Sequence, residues 1–157
     1  MIYIARLKFT TNYLGGGARK KGKPSSVRPI EYVSEGRAAL NENEWRDNFR
    51  LALKQLNLVF DIKKFIFESG FSVEGKTEVL KRVYNKVNVD LFEGVKRGKE
   101  ISISFAYKDN PENSPEVAAM RCVLGIVGKF YGMSQWGTKF HCGRFEVISI
   151  KRVLCDE

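Results

Sequence analysis

Residues 118–150 read Ala118-Ala119-Met120-Arg121-Cys122-Val123-Leu124-Gly125-Ile126-Val127-Gly128-Lys129-Phe130-Tyr131-Gly132-Met133-Ser134-Gln135-Trp136-Gly137-Thr138-Lys139-Phe140-His141-Cys142-Gly143-Arg144-Phe145-Glu146-Val147-Ile148-Ser149-Ile150. The pattern predicts a helix, a glycine-punctuated loop and a strand. Gly132, Gly137 and Gly143 allow the loop backbone positive φ and close approach to a phosphate or another chain. Trp136, Phe140, Lys139, His141 and Arg144 lie between or beside them, the residue types that stack on bases and hold phosphates. Such loops also occur as plain helix-to-strand connections, so the stretch names no chemistry alone.

Working outward, residues 99–108 alternate Ile101, Ile103, Phe105 and Tyr107 with Ser102, Ser104 and Ala106, the signature of a half-buried strand. A turn follows at 109–113. Ser114 then caps the helix, with Pro115 in its first turn and an apolar stripe of Val117, Met120, Val123, Leu124, Val127 and Phe130. Residues 41–56 form the clearest helix. Asn41 caps it with Glu44 at capping-box spacing, and Trp45, Phe49, Ala52, Leu53 and Leu56 make one stripe. Residues 2–13 read as a strand with Tyr3, Ala5, Leu7 and Phe9 on the covered side, and 144–154 as the last strand. Residues 58–67 suggest a bent strand, and 27–33 a short extra one. Residues 69–98, punctuated by Gly70, Gly75, Gly94 and Gly98, fit a hairpin or a short helix inserted between core strands.

The resulting order, β-α-β-β-α-β, is the split βαβ or ferredoxin-like plan, an α+β fold. It predicts an antiparallel sheet with two helices on one face, an open face for a ligand and an inserted hairpin. A small β-barrel with helices is the alternative. The length, 157 residues, suits a single domain spanning 1–157, with a basic loop at 15–28 and the insertion at about 69–98.

The formal charge of +9 biases partners towards nucleic acid or another polyanion. Gly15, Gly16 and Gly17 are followed by Arg19, Lys20, Lys21, Lys23 and Arg28, which read as a phosphate-binding loop or a solvated one. The Walker A spacing is missing. Cys122, Cys142 and Cys155 form no C-x-x-C pair and support neither a disulfide framework nor a zinc site. No metal or cofactor is expected. No signal peptide or apolar run of spanning length is visible, so the expected setting is cytoplasmic, with no membrane partner.

Two segments carry a family resemblance. Phe9-Thr10-Thr11-Asn12-Tyr13-Leu14-Gly15-Gly16-Gly17 resembles the first strand and following glycines of the RAMP superfamily, the ferredoxin-like RNA-binding subunits of CRISPR effector complexes. Gly132 to Val147 resembles the glycine-rich loop and last strand of that family, although His141-Cys142-Gly143 departs from its usual Gly-x-Gly. The resemblance implies a protein that holds single-stranded guide RNA by its backbone, beside other subunits of a ribonucleoprotein or copies of itself. The insertion would stand where backbone-forming members carry a thumb hairpin. Arg19, Lys20, Lys21, Lys23, Arg28, Lys139 and Arg144 would then neutralise phosphates, and Trp136 or Phe140 would stack on a base. Two alternatives stand beside it. One is a metal-independent endoribonuclease using His141 as general acid or base, because imidazole titrates near neutrality. The other is a non-enzymatic viral or interaction protein that mimics or caps a CRISPR subunit.

Overall fold

The computed structural model describes residues 2–17, 27–84, 88–112, 114–133 and 141–153. The elements run β1 (Ile2–Phe9), β2 (Tyr13–Leu14), β3 (Tyr32–Ser34), β4 (Arg37–Ala39), α1 (Glu42–Gln55), a 3-10 turn (Ile62–Lys64), β5 (Phe65–Phe67), β6 (Gly70–Val73), β7 (Glu78–Tyr84), β8 (Asn88–Val95), β9 (Glu100–Tyr107), α2 (Pro115–Ile126), a π-helical segment (Val127–Tyr131) and β10 (Phe145–Val153).

Strict alternation decides the sheet. In β1, Tyr3, Ala5, Leu7 and Phe9 are buried while Ile2, Ile4 and Arg6 face water; in β9, Ile101, Ile103, Phe105 and Tyr107 are buried. Aligning those two periods gives the antiparallel register Leu7↔Ile101, Ala5↔Ile103 and Tyr3↔Phe105, with Tyr3 stacked on Phe105. The main sheet is ordered β10-β1-β9-β6-β4-β3, with β5 also paired to β9, and every pair is antiparallel. The last strand lies beside the first and the first beside the third major strand, the split βαβ arrangement. The sheet is open, so the barrel alternative is excluded. A second, three-stranded sheet is ordered β2-β8-β7.

Both helices cover the face that carries Phe9, Phe105 and Phe145. The N–H of Glu44 donates to Asn41 Oδ1 at 3.1 Å, starting α1 where the cap was expected. Trp45, Phe49, Ala52 and Leu53 are buried, and Trp45 packs against Phe49, Phe67 and Phe145. Ser114 Oγ accepts from the N–H of Val117 at 3.3 Å, and Met120, Val123 and Leu124 carry α2 into the same core.

Several sequence expectations are corrected. The first strand stops at Phe9 rather than 13, because Tyr13 and Leu14 leave the main sheet to pair with Val95 and Gly94. Within 27–33 only Tyr32 begins a strand, a hairpin with β4, while Arg28 makes an isolated parallel bridge to Phe92. Residues 58–64 are not strand. Val59 is fully exposed, and Asp61 Oδ1 accepts from the N–H of Lys63 at 2.9 Å, capping a 3-10 turn before β5 begins. The helix reading of 69–98 fails: β6 joins the main sheet, and β7–β8 is a hairpin with Arg82 opposite Asp90. Phe130 leaves its predicted apolar stripe and is 39% exposed. The π turn, closed by Gly132 N–H to the Val127 carbonyl at 2.7 Å, adds a residue per turn and rotates it outward.

Candidate nucleic-acid interface

The connection Thr10-Thr11-Asn12 between β1 and β2 ties together one end of the main sheet. The N–H of Thr10 donates to the Arg144 carbonyl at 2.9 Å, and the N–H of Arg144 donates to Thr11 Oγ1 at 3.0 Å. The Asn12 carbonyl accepts from the N–H of Gly143 at 2.8 Å, and Asn12 Oδ1 accepts from the N–H of Arg97 at 2.9 Å. Short polar side chains after a strand thereby hold the turn at 96–99 and the C-terminal loop side by side.

Arg144 stands at the centre of this end. Its Nη2 donates to the Phe130 carbonyl at 3.1 Å, at the close of the π segment. Its Nε is buried, with no hydrogen-bond partner among the described residues. Beside it a groove of about 580 Å³ runs between α2 and the start of β10, lined by Thr10, Thr11, Arg121, Gly125, Lys129, Arg144 and the acidic Glu146, among others. Gly125 forms the open part of the wall, since a Cβ there would meet nothing within 4 Å. Three cations against one carboxylate leave the lining net positive, and with two hydroxyls and free space it suits an extended phosphate chain.

A second cavity, of about 250 Å³, is lined by Tyr13, Leu14, Leu40, Asn41, Glu44 and Met133 among others. Met133 is joined to the first site by its N–H to the Gly143 carbonyl, 3.0 Å. Burial, then the neighbouring Asp47, pushes the Glu44 carboxyl above the usual range. Burial also raises Tyr13 above an ordinary phenol, with the charges of Glu44 and Glu31 adding to the effect.

The glycines prove to be packing residues in part. A Cβ at Gly15 or Gly17 would lie 2.6 Å from the Pro29 carbonyl oxygen. Their amides donate to the carbonyls of Glu93 and Pro29, so these two N–H groups are engaged within the chain. Gly16 is exposed between them. Gly132 has φ +79°, and a Cβ there would approach the Cys142 carbonyl to 2.9 Å; its own carbonyl accepts from the buried Asn48 Nδ2 at 3.1 Å. Gly143 also has positive φ.

Of the residues singled out from sequence, Arg144 and Gly143 meet at the sheet end, with His141 exposed two residues before Gly143 in left-handed backbone, φ 58°. Arg28 runs beside β8, where its N–H donates to the Leu91 carbonyl at 2.9 Å. Arg19, Lys20, Lys21, Lys23, Trp136, Gly137, Lys139 and Phe140 lie outside the described residues. Arg121 and Lys129 fell within the predicted helix with no role assigned, and Thr11 and Asn12 within the first predicted strand and the segment that carries the family resemblance. The run Thr10-Thr11-Asn12 before a glycine triplet was the available signal for the latter pair. Cys142 is half-buried, which raises its thiol, and Cys122 is exposed; Cys155 lies outside the described residues. Among the described residues no three His, Cys, Asp or Glu side chains gather as a metal site, and no helix is long and apolar enough to cross a membrane.

Fold and site together define an α+β chain of the ferredoxin-like class, with an open sheet, an inserted hairpin and a basic groove at one end. A solved structure described as the cryo-EM structure of the type III-B Cmr-beta bound to cognate target RNA contains a chain of the same fold, with a TM-score of 0.60 at 12% identity. The match covers 96% of this chain and 59% of that one, so this chain spans a little over half the length of its structural neighbour. The likeness is one of fold, and it is distant. No protein-family model and no curated protein sequence matches this chain.

Proposed function

We propose that this chain is a RAMP-like RNA-binding protein that holds single-stranded RNA by its phosphate backbone at the Arg144 end of the sheet. The observation that carries the reading is the groove in which Arg121, Lys129 and Arg144 surround the open wall at Gly125. The net charge of +9 supports it, since each neutralised phosphate releases counterions. So does the fold shared with a chain of an RNA-bound CRISPR complex. In this reading Lys20, Lys21, Lys23, Arg28 and Lys139 extend the phosphate track, and Trp136 or Phe140 stacks on a base. Other protein subunits of a ribonucleoprotein, or further copies of the chain, continue the path. His141 serves as an exposed rim residue.

The test is fluorescent single-stranded RNA titrated across a salt series, with matched DNA and duplex controls. Arg121→Ala/Lys129→Ala is expected to weaken binding at all sequences and to reduce the slope of log K against log salt by about 0.7 per lost contact. An unchanged slope with unchanged affinity would remove the groove from the interface. Full RNA cleavage by wild type, abolished in His141→Ala with binding intact, would convert the reading to a ribonuclease.

A further inference from the structure

The register of the main sheet draws an apolar row across the face that the helices leave open. Ile66 stands opposite Ala106, Ala106 opposite Ile2, and Ile2 opposite Val153, one side chain from each of β5, β9, β1 and β10. Ile4 lies beside the row, opposite Ser104 and Lys151. Ile66 is 50% exposed, Ile2 43% and Ile4 36%. Single exposed apolar residues are ordinary on a surface, but here neighbouring strands bring them into one contiguous strip. Strands stand about 4.8 Å apart, so the row is roughly 14 Å long, the rise of about nine residues of α-helix.

The strip has the wrong chemistry for a base-stacking platform. β1, β5, β9 and β10 turn their aromatic residues to the helix side, where Tyr3 stacks on Phe105 and Phe67 packs on Trp45. The open side carries aliphatic groups at this end, then Ser102 and Ser149, then the ion pair of Arg6 with Glu100. Bases stack on aromatic or guanidinium planes, whereas an aliphatic row covers the apolar stripe of a protein helix. The charges that border it are of one sign. Lys151 flanks the row beside Ile4, and Lys108, two residues past Ala106, flanks it on the other side; both are exposed. Neither has an acidic partner among the described residues, and Glu68, in the row of Ser104, is already paired with Arg37. A second copy would bring its own two lysines against these, so like charges oppose self-association through this face.

We infer that the open face docks an amphipathic helix of another protein, its apolar stripe on Ile2, Ile4 and Ile66 and its acidic residues reaching Lys108 and Lys151. The row lies at the opposite end of β10 from Arg144, so the inference goes beyond the RNA reading and does not depend on it.

The experiment uses two fluorescent helix-forming peptides with the same leucine stripe, one flanked by glutamate and the other by lysine. The glutamate peptide is expected to bind the full chain roughly tenfold more tightly than the lysine peptide. Ile2→Ser/Ile66→Ser should weaken it roughly tenfold to a hundredfold through lost apolar burial. Lys108→Glu/Lys151→Glu keeps the row and should invert the preference, so that the lysine peptide becomes the tighter ligand. All four positions are exposed, and circular dichroism establishes that the variants fold. RNA affinity of the serine pair should equal that of wild type. Binding of neither peptide, equal binding of both, or binding indifferent to the serine pair overturns the docking face and leaves the RNA reading standing. Loss of RNA binding in the serine pair overturns it in favour of an RNA platform. Wild-type dimers in sedimentation, lost in the serine pair, overturn it in favour of a second copy. Docking of the glutamate peptide by a chain that binds no RNA would sustain this inference and overturn only the RNA reading.

Discussion

At the scale of single residues, Gly125 and Gly128 sit one turn apart and do opposite things. A Cβ at Gly128 would stand 2.2 Å from the Phe145 carbonyl oxygen and 2.6 Å from its ring, so the helix touches the last strand backbone to backbone there. Neither a carbonyl nor a buried ring can move aside cheaply. Gly128→Ala is expected to destabilise the fold by about 1–3 kcal/mol, the usual range for overpacking. Gly125 has open space in its place, and Ala there should stabilise by roughly 0.5–1 kcal/mol through helix propensity. Urea unfolding of the two variants decides the matter; similar effects would mean that the contact at Gly128 is relaxed in solution. A glycine kept inside a helix without a packing reason is also consistent with a groove that must stay open.

At the scale of elements, the β7–β8 hairpin is fastened through Glu93. Its carboxylate accepts from the Ile30 N–H at 2.7 Å, from Tyr32 Oη at 2.8 Å and from Thr77 Oγ1 at 2.9 Å. One side chain thus joins the hairpin to the segment that returns from the basic loop and to the edge strand β3. At Gly94, beside it, a Cβ would lie only 2.4 Å from the Tyr13 carbonyl oxygen, so only glycine fits there. Glu93→Ala leaves one buried-side N–H and two hydroxyls without their acceptor, an effect on the order of 1–3 kcal/mol. Hydrogen exchange is expected to quicken at 28–32 and along the hairpin, with little change in β1 or β9. Uniform acceleration across all strands would show instead that the hairpin and main sheet open as one unit. The alternation of β9 and the cap and apolar stripe of α1 were legible from sequence because they follow from neighbours within a turn or two. The short pieces between 57 and 73 were not. Asn57 takes positive φ and Asp61 caps a 3-10 turn, local choices that three β-rich phenylalanine and isoleucine residues downstream outweigh in any propensity reading.

At the scale of the whole molecule, one apolar core joins both helices to the main sheet and draws in Tyr13 from the second sheet. We expect the chain to unfold as a single domain. Fluorescence of Trp45, which is 2% exposed, recorded in a Trp136→Phe background, should change at the same denaturant concentration as far-ultraviolet circular dichroism. Separate midpoints would divide the hairpin sheet from the rest.

The sequence by itself determined the periodicities, the caps and the order of elements, and hence the ferredoxin-like plan, because these depend on which side chains recur at 2.0 or 3.6 residues. It also determined the net charge of +9. Only the tertiary structure decided that Thr10-Thr11-Asn12, far along the chain from Gly143 and Arg144, is hydrogen-bonded to them, and that Arg121 and Lys129 flank the same groove. Only it gathered Tyr13, Glu31 and Glu44 around one cavity. Sites of this kind arise from strand register and from where a helix axis crosses a sheet. Those are set by the packing of Phe9, Trp45, Phe105 and Phe145 together, and no local pattern along the chain encodes them.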